Sequence, residues 1–386
     1  MIDLLLISQG HNAWPLGCVD IANYIRGLGY SAEVRLIDSP WELQAMSCEP
    51  RHVGLSIDTI QAGTAPKVVS EIRHRWPRAT VTVGGRHCQK DTINEPLFNS
   101  CDYIVVGEGE YAMADIVTGN EDRGVIYGNR LEPVDWQWMP LPDEATHRSV
   151  LGGTAHALFS RGCHYNCLFC CERRPQVLRR SPEQAAAHVA ALVRWTGQSR
   201  VFIYDDIFTQ DPSWLRDFAW QMERQDCGAQ LEVFGHASHL DTPCVELLQR
   251  AGVVQVDLGA ESGDDRVLRL LRKRGTVALY RNIHNLFRSF PRIKLHCLWM
   301  IGNAGDTQAS IEATIRLSRE VGTDGKPWFG YAVPYPGTDF HRQASQWGII
   351  RDVPYDRWTN DEPVFIPQGL TEGALRGLIA KAREQQ

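Results

Sequence analysis

Short apolar runs alternate with amphipathic, helix-length stretches along most of this chain, and the alternation comes in two blocks. In the first block the runs are IDLLLIS, AEVRLID, VGLSI, TVTVGG and DYIVVGEGE, with helical patterns through PLGCVDIANYIRGLGY and PKVVSEIRHRW. Pro15 suits the opening of the first of these helices and Gly29 its close. Such β-rich runs separated by helices specify a parallel, doubly wound (Rossmann-like) sheet. This domain is expected to span residues 1–119.

The second block begins near Ala155. Its runs are HALFS, RVFIYDD, QLEVFGHA, VVQVDLGAES, IKLHCLWMIG and PWFGYAVPY, with helical stretches such as PEQAAAHVAALVRW and SIEATIRLSREV between them. Six βα-type repeats suit a partial barrel over residues 153–340, with active residues at the C-terminal ends of its strands. Residues 120–152, rich in proline and charge, read as a linker or strap, and residues 341–386 as a small helical C-terminal region.

A chain of 386 residues exceeds most single cores, in keeping with several domains. Its 43% hydrophobic and 22% charged content is that of a globular protein. A net charge of −6 without a Lys/Arg run suggests neither nucleic acid nor a membrane surface as partner. The N-terminal MIDLLLISQG lacks the basic flank and cleavage site of a signal peptide, and no segment approaches the roughly 20 apolar residues of a membrane span. Eleven cysteines in such a chain argue for reduced thiols and a cytoplasmic location.

Four of those cysteines fall in SRGCHYNCLFCCERR. Cys163, Cys167 and Cys170 have the spacing CxxxCxxC on the loop after the first barrel strand. Three thiolates there can converge on an iron–sulfur cluster or a zinc ion. A structural zinc normally takes four closed ligands, and Cys171, adjacent to Cys170, cannot easily supply the fourth. A three-cysteine 4Fe-4S cluster leaves one iron open to a substrate or cofactor. Cys171 itself reads as a bystander, with a substrate contact or redox role as the alternative.

This loop, with Phe169 just before its third cysteine, resembles that of the radical S-adenosylmethionine (SAM) superfamily. YDDIFTQDPSW, LGAESGDDRVLRLLRKRGT and PYPGTDF resemble the family's second-, fourth- and sixth-strand segments. MIGNAGDT stands where relatives carry GLPGET, departing at Asn303 and Ala304. The N-terminal PLG, VTVGGRH and DYIVVGEGE resemble the cobalamin-binding domain of one large subgroup. The resemblance implies a 4Fe-4S cluster on Cys163, Cys167 and Cys170, SAM chelated to its open iron, and one-electron cleavage of a carbon–sulfur bond. It also implies an electron donor such as flavodoxin or ferredoxin.

By the same resemblance, Phe169, Glu261, Ser262 and Gly302 are candidate SAM contacts. Glu261 and Ser262 end the fourth strand; the alternative is that Ser262 caps the following helix. Lys273 and Arg274 suit the SAM carboxylate, or else a solvated helix end. Asp205 and Asp206 suit its ammonium or a substrate proton, or else a loop cap. Cys297 is a candidate catalytic hydrogen donor if its face of the strand lines the barrel, and a buried structural cysteine otherwise. In the N-terminal domain, Gly84, Gly85, Gly107 and Gly109 end parallel strands where such a sheet binds its ligand; they leave room for cobalamin or simply form tight turns. Relatives that bind cobalamin through a histidine carry DxHxxG. Here DTIQAG, Asp58 to Gly63, has no histidine, and His11 is the nearest imidazole.

These features lead to a cobalamin-dependent radical methyltransferase acting on an unactivated carbon or phosphorus of a small metabolite. The alternative is a radical SAM enzyme without cobalamin, performing a rearrangement or a 3-amino-3-carboxypropyl transfer. A non-catalytic cobalamin or iron–sulfur sensor is the reading from another class.

Overall fold

In the computed structural model, residues 1–10, 15–128, 136, 139–151, 154–173, 176–323 and 327–384 are described. His11 and most of 129–138 lie outside them. The chain divides into two compact units: residues 1–153 with 354–358, and residues 154–353 with 359–386. No described helix is long and apolar enough to cross a membrane.

The apolar runs of the first block form the strands β1 (Ile2–Gln9), β2 (Ala32–Ile37), β3 (Pro50–Ser56), β4 (Thr80–Gly84), β5 (Tyr103–Val106) and β6 (Gly124–Tyr127). They make one parallel sheet in the order β2-β1-β3-β4-β5-β6. The order reverses between β1 and β3, which opens the ligand crevice of a doubly wound sheet at their C-terminal ends. Each face has its own core. Leu4, Leu6, Val34 and Val105 pack on helices α1 (Leu16–Gly27) and α3 (Glu110–Thr118). On the other face Leu5, Ile7, Val53 and Val81 pack on α2 (Ala65–Arg75).

The sheet runs past residue 119. β6 pairs with β5, and α4 (Glu144–Leu151) adds Val150 to the first core, so much of the expected strap is part of this unit. β6 is short and largely exposed; an edge strand of that kind carries no continuous apolar run to reveal it.

The second sheet holds β7 (His156–Ala157), β8 (Arg200–Ile203), β9 (Gln230–Gly235), β10 (Val253–Glu261), β11 (Lys294–Ile301) and β12 (Trp328–Tyr331), all parallel and adjacent in sequence order. Stepping one strand at a time with a helix after each is the right-handed βα winding of a partial barrel. Val201, Ile203, Leu231, Val233, Val256, Leu258 and Leu295 pack on the helices and are essentially inaccessible. The alternate residues point to the inner face.

The C-terminal region is more than a helical appendage. A two-stranded antiparallel ribbon joins Gly348–Ile350 to Phe365–Pro367. The last helix, α12 when the intervening helices are counted as below, spans Glu372–Arg383 and sends Leu375, Leu378, Ile379 and Ala382 into the barrel core. The helices before it are α5 (Pro182–Thr196), α6 (Pro212–Gln225), α7 (Thr242–Arg250), α8 (Asp265–Leu270), α9 (Val277–Arg288), α10 (Gln308–Glu320) and α11 (Asp339–Gln343).

Candidate functional site

The cysteine loop leaves β7 through a small ribbon in which Ser160–Arg161 pairs with Leu178–Arg179. Two carboxylates at the end of β8 fasten it. The backbone N–H groups of Phe159 and Ser160 donate to Asp205 Oδ1 at 2.6 and 2.9 Å, and Ser160 Oγ donates to Oδ2 at 2.6 Å. Burial pushes the Asp205 carboxyl up, against the Arg179 charge and these bonds. Gly162 N–H donates to Asp206 Oδ2 at 2.8 Å. Gln210 accepts from His164 N–H at 3.0 Å and donates to the Gly162 carbonyl. In the loop itself both aspartates therefore act as caps.

Within the motif, Cys163 N–H donates to the Glu172 carbonyl at 2.9 Å, closing the loop on itself. Tyr165 N–H donates to Cys163 Sγ and Glu172 N–H to Cys170 Sγ, both at 3.4 Å; such bonds tune a sulfur-ligated cluster. Burial pushes the Cys163 thiol up to about 11 and the Cys167 thiol above its usual value, so binding metal must displace their protons. Among the described residues no three His, Cys, Asp or Glu side chains close around a single ion. Cys171 is exposed, with its sulfur 3.9 Å from Glu172 Oε1.

Tyr165, between the first two cysteines, is an anchor that the spacing did not reveal. Its ring stacks on His236 with centroids 3.9 Å apart, and its hydroxyl lies 2.6 Å from Ser238 Oγ and 2.8 Å from His239 Nε2. Burial, with the Lys273 charge nearby, drives the His236 imidazole down to about 3, so it stays neutral. Arg274 places its guanidinium 5.6 Å from the Tyr165 ring centroid, a cation–π contact. An aromatic with a polar tip inside a ligand motif was the available signal.

Leu168 and Phe169 seat the far side of the loop in an apolar cluster with Val267, Leu271 and Phe340. Leu168 N–H donates to the Leu271 carbonyl, and Phe340 N–H to the Leu168 carbonyl.

β10 ends with a register irregularity at Gly259/Glu261. Glu261 has φ +65° and Arg272 φ +57°, a left-handed conformation uncommon outside glycine. That backbone brings Glu261 Oε1 to 3.1 Å from Lys273 Nζ, with side chains only 11% and 10% exposed. Burial alone would lower the Lys273 ammonium, but Glu261, Cys167 and Cys170 hold it above its ordinary value. A side chain at Gly259 would collide with Glu261 and approach Lys273. The helix-end reading of Lys273 is thus replaced by a buried ion pair beside the cysteine loop.

Ser262 is placed elsewhere. It is fully buried, with Oγ 3.4 Å from Thr314 Oγ1 on α10, and it accepts from Asp264 N–H. Asp264, not Ser262, caps α8 through Arg266 and Val267 N–H. Gly302, φ +82°, follows β11. Its N–H and that of Asn303 donate to Asp306 Oδ2 at 3.1 and 2.8 Å, and burial pushes that carboxyl up to about 6.

Cys297 lies on the face of β11 packed against helices, in register with Leu258. The alternation was right, but the face lining the barrel carries His296 and Leu298 instead, and a donor role for Cys297 does not follow.

In the first unit, Gly85 has φ +104°, and a methyl there would sit 2.5 Å from the Ile57 carbonyl oxygen. At Gly109 it would sit 2.5 Å from Ile21 Cδ1. Both are small because this chain's own atoms approach. Gly84 and Gly107 have nothing closer than 3.7 Å, and neither does Gly10 at the end of β1.

Residues 158–318 match the family model of the radical SAM superfamily, and residues 2–117 that of the B12 binding domain. An uncharacterized methyltransferase of Pyrococcus horikoshii is 23% identical over 95% of this chain and 86% of its own. The anaerobic magnesium-protoporphyrin IX monomethyl ester cyclase of Rubrivivax gelatinosus is 20% identical over 94% of this chain and 72% of its own. Among solved structures, the radical SAM methyltransferase TsrM of Kitasatospora setae superposes with a TM-score of 0.73 at 18% identity. That match covers 100% of this chain and 85% of TsrM and speaks for the fold.

Proposed function

Because the chain belongs to the radical SAM superfamily, in its subgroup with an N-terminal B12-binding domain, we propose that it is a cobalamin-dependent methyltransferase acting on an unactivated carbon or phosphorus of a small metabolite. The observation that carries the reading is the three-thiol loop at the C-terminal end of the first barrel strand, beside a buried Glu261–Lys273 pair. A methyltransferase relative spanning 95% of the chain supports the transferase class.

The residues fit the cluster. Cys163, Cys167 and Cys170 would hold it, and two of the three sulfurs already accept backbone N–H bonds. They fit cobalamin along the C-terminal edge of the first sheet, where an added methyl at Gly10, Gly84 or Gly107 would meet nothing closer than 3.7 Å. When bound, the cluster supplies the electron that cleaves a SAM carbon–sulfur bond, and cobalamin carries the methyl group. The protein's part is to hold. Asp205, Asp206 and Gln210 fix the loop entry, Tyr165 its middle, and Leu168 its exit. Lys273 offsets negative charge at the thiolates, while the Glu261–Lys273 pair offers a carboxylate and an ammonium to the amino-acid end of SAM. Phe169 belongs to the apolar seat of the loop, and Gly302 stands at the end of β11. Electrons would come from a donor such as flavodoxin or ferredoxin, in the cytoplasm.

One observation favours a second reading. Gly85 and Gly109 are filled by the chain's own neighbours and DxHxxG is absent, which suits a radical SAM enzyme that works without cobalamin. A relative 20% identical over 94% of this chain is named a cyclase, a reaction class other than methyl transfer.

Protein reconstituted anaerobically with iron and sulfide, then given hydroxocobalamin, SAM and a reductant, separates the readings. Retained cobalamin with release of 5′-deoxyadenosine supports the methyltransferase. Cluster-dependent SAM cleavage without cobalamin retention supports the second reading. A zinc-loaded protein, or cleavage that survives replacement of all three cysteines by alanine, overturns both.

A further inference from the structure

The inner face of the second sheet carries a polar pair that neither the cysteine loop nor Glu261–Lys273 uses. Asp257 lies four residues before Glu261 on β10, and His296 stands opposite it in register on β11. His296 Nδ1 is 3.2 Å from Asp257 Oδ1, and Gln255 Nε2 donates to the same oxygen at 2.8 Å. The Asp257 side chain is only 9% exposed, yet among the described residues its Oδ2 accepts no hydrogen bond. That oxygen is not sealed off and stays open to the barrel interior, so a ligand that covers it must bring a donor of its own.

Aromatic side chains stand on the same inner face of the neighbouring strands. Phe202 and Tyr204 have ring centroids 4.5 Å apart, Phe202 and Phe234 5.5 Å, and His156 and Tyr204 5.3 Å. These rings remain partly accessible, as does His296, whereas the residues alternating with them are sealed against the helices. A filled barrel would pack its interior; here Phe202, Tyr204, Phe234 and His296 all keep part of their surface accessible. Toward the strand starts, Glu232 and Arg200 pair at 2.6 Å on the same face.

We infer that the barrel interior binds a substrate with a flat, conjugated ring, seated against Phe202, Tyr204 and Phe234, whose O–H or N–H edge donates to Asp257 Oδ2 beside His296. The ring faces offer the offset and edge contacts that aromatics prefer, and the carboxylate rejects an analogue lacking the donor because its oxygen would stay unpaired. This rests on the reading that the barrel is where the reaction occurs.

The test uses full-length, cluster-loaded protein and three small probes followed by saturation-transfer NMR: phenol, anisole and cyclohexanol. Phenol has the ring and the donor, anisole only the ring, and cyclohexanol only the donor. Phenol should bind at least fivefold more tightly than either. Asp257→Asn turns an amide N–H toward the probe, because Gln255 holds the amide oxygen, and should remove the preference for phenol over anisole. Phe234→Ala should weaken phenol and anisole together and leave cyclohexanol unchanged. Equal binding of all three probes, or preferences untouched by both variants, overturns the inference. Iron content and 5′-deoxyadenosine release from SAM, measured on the same samples, report on the proposed function independently. Their loss in the unsubstituted protein would sink that reading while the probe preferences are still read.

Discussion

Cys170 and Cys171 are neighbours in sequence with different surroundings. Both are exposed, but Cys170 Sγ accepts a backbone N–H while Cys171 Sγ lies 3.9 Å from Glu172 Oε1. Cys170→Ser should therefore lose most of the reconstituted iron and the broad visible absorption, and Cys171→Ser should keep both; iron and sulfide analysis of the two variants checks this. Asp306 gives a pH test. Its folded value is raised from 3.8 to about 6 by burial, so between those values the folded state keeps a proton that the unfolded chain gives up. Stability falls as pH rises through that window and levels off above it, by roughly 3 kcal/mol in all at 1.36 kcal/mol per unit. Asp306→Asn cannot ionise and can keep accepting the Gly302 and Asn303 N–H groups. Urea midpoints of the variant should vary less between pH 4.5 and 7 than those of the unsubstituted protein.

At the scale of elements, the strands of both sheets were legible because buried parallel strands leave continuous apolar runs. The face each strand turns inward was not. In Lys294–Ile301 the alternation is plain in the sequence, but helix packing decides that Cys297 joins the core and His296 the interior. Asp205 and Asp206 each turn an oxygen to loop N–H groups some 45 residues earlier in the chain, partners that local pattern cannot show. The cysteine spacing was legible because three ligands of one small group must be close in sequence when one loop supplies them. The last helix shows what such reading misses in the other direction. Leu375 is fully buried in the barrel core, so Leu375→Ala should cost about 2–5 kcal/mol, read as a lowered denaturation midpoint. Gly263→Ala should also be destabilising, since the added methyl would meet the Ala313 carbonyl oxygen at 2.6 Å and Thr314 Cα at 2.7 Å.

For the whole molecule, two compact units predict two responses to ligand. Hydroxocobalamin at a hundredfold excess over its dissociation constant should stabilise the first unit by about 2.7 kcal/mol. Calorimetry should then show the transition of that unit rising while the other stays in place; a scan without any shift would favour the cobalamin-free reading. The compact unit continues past residue 119 into what reads as a linker, because residues 124–127 contribute an edge strand that composition does not mark.

Residues 354–358 belong to the first unit although some two hundred residues of the second precede them. There Tyr355 donates its hydroxyl to Glu95 Oε1 at 2.8 Å and sets its ring edge-on to the fully buried His87, 5.0 Å away. On the ribosome, then, the opening sheet can assemble early, but the contacts around His87 stay incomplete until Tyr355, some 270 residues further along the chain, has emerged.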